Sequence, residues 1–80
     1  MSTNTADELR AMMKDNPHVS PSTFLRDDSF AAHCYDNRSI QWLEAAFNRD
    51  ADPEECKAWG LTPAEWRTNV EIALLALKGR

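Results

Sequence analysis

Twice in quick succession the chain carries the same helix-start signal, first as Asp52-Pro53-Glu54-Glu55 and then as Thr62-Pro63-Ala64-Glu65. Each combines a cap residue, a proline at the first helical position and a glutamate at the third. Between them stands Gly60, followed by Leu61. That pair fits a Schellman ending, in which glycine turns left-handed and the leucine packs back on the helix it closes. Two starts and one stop so close together force a tight helical corner. The second helix is predicted to run to about Lys78, where Gly79 stops it, with Trp66, Val70, Ala73, Leu74 and Leu77 as its main apolar stripe.

Upstream the same chemistry is weaker but present. Thr5-Ala6-Asp7-Glu8 is a capping box, and it places Ala6, Leu9 and Met13 on one face with Met12 at its edge. Pro17 bounds that helix by disfavouring helical geometry at Asn16. Asp36 and Asn37 are cap residues for a helix running through Ile40, Leu43 and Phe47 to about Arg49, those three apolar residues falling in one narrow sector. Asn16 to Ser29 is ambiguous. Ser20-Pro21 can open a short helix anchored by Phe24 and Leu25, or Thr23-Phe24-Leu25 can face Phe30-Ala31-Ala32 in a short hairpin between residues 23 and 32. The expected fold is all-α: a small single-domain bundle of four to five short helices over residues 1–80, with residues 1–4 disordered.

Composition narrows the function. The chain has 80 residues, a formal charge of −4 and a sequence pI near 5.0. It is too short for a catalytic domain joined to a cofactor domain, and no apolar run approaches the ~20 residues of a spanning helix. A general nucleic-acid binder carries a basic surface, and this chain is acidic. The N-terminus has neither a basic nor an apolar leader region, so a cytoplasmic location is expected, with Cys34 and Cys56 as free, buried thiols. Neither histidine, His18 or His33, sits in a nucleophile motif, and adjacent helical residues such as His33 and Cys34 diverge by about 100°. His18, His33, Cys34 and Cys56 lack the paired spacings of a zinc site. No glycine-rich phosphate loop is present. No enzyme activity, metal or cofactor is expected.

Four patterns remain as candidates. Residues 54–71 resemble a helix-turn-helix in layout, with Cys56, Gly60 and Trp66 at the spacing that geometry requires. Its exposed face, however, offers Glu65, Arg67, Thr68, Asn69 and Glu71, and two carboxylates there repel a phosphate backbone. Asp50, Asp52, Glu54 and Glu55 form a compact acidic edge, with Asp27 and Asp28 as a further pair. Acids in a first helical turn complement the macrodipole, but Asp50 lies before the helix. Such an edge suits a basic protein surface, including one made for nucleic acid. Trp42, about 130° from the Ile40-Leu43-Phe47 sector, has Arg38 and Arg49 as wheel neighbours, the composition of an interface hot spot. The run Ile72 to Leu77 is apolar all round, which calls either for a central helix or for a weak homodimer through Ile72 and Leu75.

The preferred reading is a small acidic interaction module that binds a protein partner through Asp50, Asp52, Glu54, Glu55, Trp42, Arg38 and Arg49, and inhibits or regulates it by occlusion. In size and charge it is like small accessory proteins of phages and mobile elements, including anti-CRISPR inhibitors, a likeness of type that rests on no motif. The alternative is a transcriptional regulator that binds DNA through residues 54–71.

Overall fold

In the computed structural model, which describes residues 5–79, five α-helices and one 3₁₀ turn surround a core of aromatic, aliphatic and cysteine side chains. The helices are α1 (Ala6–Asp15), α2 (Phe30–Asn37), α3 (Ile40–Phe47), α4 (Pro53–Trp59) and α5 (Pro63–Lys78), and the 3₁₀ turn spans Pro21–Phe24. The disorder expected of residues 1–4 lies outside the described residues. No helix among those described is long and apolar enough to cross a membrane.

The caps form where the residue chemistry puts them. Thr5, Asp52 and Thr62 each accept a backbone N–H of the helix they open, and at Thr62 the Glu65 carboxylate also reaches back to the cap amide at 2.9 Å. Gly60 takes φ 66°, and Leu61 N–H donates to the Cys56 carbonyl at 2.8 Å, the long bond of a Schellman ending.

Residues 16–39 resolve one open alternative and depart from expectation at one cap. No strand forms among the described residues, so the 23–32 hairpin gives way to the other reading, a short helical turn opened at Ser20-Pro21 and anchored by the buried Phe24 and Leu25, followed by α2. Pro21 starts the turn, and Ser29 sets the path of the chain out of it. The Ser29 hydroxyl donates to the Arg26 carbonyl at 2.7 Å and accepts from Ala32 N–H at 3.1 Å, closing one turn and opening α2. The cap of α3 is likewise Ser39, not Asp36 or Asn37. Asn37 stays inside α2, its side-chain amide donating to the His33 carbonyl at 3.0 Å.

α5 is the central element. One flank packs with Phe30, Cys34, Leu43, Ala46 and Cys56 through Trp66, Val70 and Ala73. The other packs with Leu9, Phe24, Leu25 and Ala31 through Ile72 and Ala76. This division explains the apolar run: it serves two cores on opposite flanks of one helix, and Leu74, Leu75 and Leu77 are only half-buried. Ile72 is 2% exposed within the second core, and Leu75 packs on the same cluster, so the pair does not form an open dimer face. α3 is also rotated from its expected face. Leu43 and Ala46 are fully buried, Phe47 is half-buried and Ile40 is 36% exposed, because the small Ala46 lets α3 settle against α5. α3 ends at Phe47, two residues before Arg49.

Candidate functional site

The expected partner-binding residues gather around the α2–α3 junction, the α3–α4 loop and the start of α4. The Arg38 guanidinium lies 4.2 Å from the Trp42 ring centroid and donates to Glu55 Oε2 at 3.0 Å. The Arg49 guanidinium lies 5.3 Å from the same ring. The acidic edge and the Trp42 face, separate in the sequence, are therefore joined through Arg38. Trp42 is half-buried against the first core and presents the rest of its ring under two cations.

The acids divide by role. Glu55 is internal: while Oε2 holds Arg38, Oε1 accepts the Trp66 indole N–H at 3.2 Å. It ties the central tryptophan to the surface and does not form part of an open acidic edge, which corrects its place in the sequence-based set. Asp52 is spent on capping, accepting Glu54 N–H at 2.9 Å. Asp50 and Glu54 are exposed, and neither carboxylate has an ion pair or hydrogen bond among the described residues. The open negative charge of this edge thus resides chiefly on Asp50 and Glu54.

The helix-turn-helix layout is present as α4, the Gly60 turn and α5, but its expected reading face is committed elsewhere. Arg67 donates to the Phe47 carbonyl and, at 2.9 Å, to the Arg49 carbonyl, covering the C-terminal end of α3. Asn69 Oδ1 accepts Ala31 N–H at 3.2 Å, and Glu71 lies 3.7 Å from Arg10. The remaining groups on that side line a concave cleft of about 570 Å³ bounded by Trp59 and the 25–31 segment. A reading helix must stand proud of its neighbours to enter a groove of DNA, whereas Glu65, Thr68 and Asn69 of α5 form a wall of this cleft. The cleft itself has no counterpart in the sequence reading. It depends on a contact between distant segments, Trp59 against Phe30 at 5.4 Å and against His33 at 5.2 Å.

Among the described residues no three His, Cys, Asp or Glu are grouped to hold a metal ion. Cys34 and Cys56 are free thiols inside the first core. Burial pushes the Cys34 thiol from 9.0 up to about 12; Arg38 opposes the shift and Glu55 adds to it. Above pH 9.0 the unfolded thiol loses its proton while the folded one keeps it, so the unfolded state binds fewer protons and rising pH favours unfolding. Stability is expected to fall over that range by up to about 1.4 kcal/mol per pH unit. Urea midpoints measured on either side of pH 9.0 check this: Cys34→Ala should remove most of the slope, and an unchanged slope would place the titrating group elsewhere.

The chain matches no family model, no curated protein and no solved structure, so the reading of its function rests on its own geometry.

Proposed function

We propose that this protein is a small, non-catalytic interaction module that docks its α3–α4 face on a basic surface of a partner protein and regulates or inhibits the partner by covering that surface. The observation that carries the reading is the Trp42 ring held under Arg38 and Arg49, with Arg38 paired to Glu55 beside the open carboxylate of Glu54 and Arg49 preceding the open carboxylate of Asp50. Trp42 supplies a large amphipathic contact at little conformational cost, and the carboxylates supply orientation and speed of encounter. The whole-chain charge of −4 acts in the same sense, drawing the protein towards cationic surfaces. In size and charge the chain is like small accessory proteins of phages and mobile elements, anti-CRISPR inhibitors among them, a likeness of type that rests on no motif.

The test is affinity capture from the native host cell at low ionic strength, with wild type, Asp50→Lys and Trp42→Ala as baits. Asp50→Lys leaves the core and the caps intact, so it should fold as wild type does. A specific partner should be recovered by wild type and elute from Asp50→Lys at lower salt, with the loss arising mainly in association rate. Equal recovery by all three baits would remove this face from the interaction. A shift of random duplex DNA by the wild-type protein at low salt would replace the proposal with DNA binding.

A further inference from the structure

The cleft beside Trp59 is lined by unfilled hydrogen-bond acceptors. Its lip carries Asp28, whose carboxylate has no partner among the described residues. On the facing wall Glu65 uses only Oε1, in the capping box with Thr62, and leaves Oε2 open. Thr68, one turn further along α5, is half-buried, and its hydroxyl makes no hydrogen bond among the described residues. Trp59 forms one side and is 38% exposed, the most exposed of the large aromatic side chains. Asn69 is fixed in place below, accepting from Ala31 N–H and donating from Nδ2 to the Glu65 carbonyl at 2.7 Å. Among the described residues Arg26 is the one cation lining the cleft, against the Asp28 and Glu65 carboxylates, so the cleft is net acidic.

We propose that this cleft takes the guanidinium of an arginine side chain presented by a partner polypeptide. Several open acceptors around one aromatic ring call for a ligand that is cationic, flat and rich in donors. A guanidinium offers five N–H donors in a plane, pairs with carboxylates in a forked geometry and stacks on an indole face. An ammonium meets the charge requirement but cannot stack. The volume, about 570 Å³, accommodates one such side chain with its flanking backbone. The inference is independent of the α3–α4 docking face, because the cleft shares none of its residues with Asp50, Glu54 or Trp42.

The probe is acetyl-Gly-Arg-Gly-amide titrated into ¹⁵N-labelled protein at low ionic strength, with the citrulline peptide as a neutral isostere. The Trp59 indole N–H and the Thr68 and Asn69 amides should move with the arginine peptide and stay in place with citrulline. Asp28→Asn, which alters only an exposed carboxylate, should weaken the response severalfold, and Trp59→Leu should abolish it, while Asp50→Lys leaves it unchanged. Equal movement with both peptides, no movement at Trp59, or movement centred on Asp50 and Glu54 would overturn the assignment.

Discussion

Trp66→Ala is expected to remove about 3–5 kcal/mol of stability, a large share of what a domain of this size holds. The side chain is fully buried at the centre of the first core, its ring 6.2 Å from that of Phe30, and its indole N–H is held by Glu55. Truncating a buried tryptophan costs about 3–5 kcal/mol through lost burial and the cavity left behind. A domain of 80 residues has about 4–12 kcal/mol of stability in total. Core residues from α2, α3 and α4 lose a shared neighbour at once, so the cavity cannot be closed by moving one helix. A urea midpoint lowered in proportion to that loss of stability is the expected reading. A variant with wild-type unfolding would show that α5 does not pack through this residue. Trp66→Phe should fall between the two, because it retains a ring but leaves Glu55 with one donor fewer.

Glu55→Ala should be the most damaging change among the acidic residues, at about 2–4 kcal/mol, although its charge alone would place it with the near-neutral surface positions. Two costs combine. The Trp66 indole N–H loses its acceptor in a buried setting, worth about 1–3 kcal/mol. Arg38 keeps its charge with its carboxylate gone; the pair is only partly covered, with side-chain exposures of 28% and 20%, so the penalty falls below that of a fully buried pair. Asp50→Ala, at an exposed site with no partner among the described residues, should stay within about 0.5 kcal/mol of wild type. Parallel urea titrations of the two variants separate an internal tie from a docking charge. Equal, small losses would return Glu55 to the open edge and deny its role in holding Trp66. Glu55→Gln, which can still accept from Trp66 but no longer neutralises Arg38, should fall between them.

The contrast between Glu55 and Asp50 shows where reading along the chain stops. Both lie in one run of carboxylates, and nothing local tells them apart. Their difference comes from Arg38 and Trp66, which lie 17 and 11 residues away from Glu55. Arg67 is a similar case. By sequence it is the one cation on a supposed reading face, and in the fold it closes the C-terminal end of α3, 18 to 20 residues distant. The Trp59 cleft is invisible along the chain for the same reason, since its walls come from three separate stretches.

The set of helices and most of their ends are local properties of this chain. Caps at Thr5, Asp52 and Thr62 and the left-handed Gly60 act over four or five residues, so their positions are set by residues adjacent in the chain. The choice of Ser39 over Asp36 and Asn37, the rotation of α3 onto Ala46, and the burial of Ile72 depend instead on tertiary packing. In each case several local solutions differ by less than about 1 kcal/mol, and burying apolar side chains against α5 contributes more than that difference. The helix that is apolar all round is central because two separate sets of neighbours converge on it: α2, α3 and α4 on one flank, α1 with the 3₁₀ turn on the other. That is a relation between distant segments, and a local pattern does not encode it.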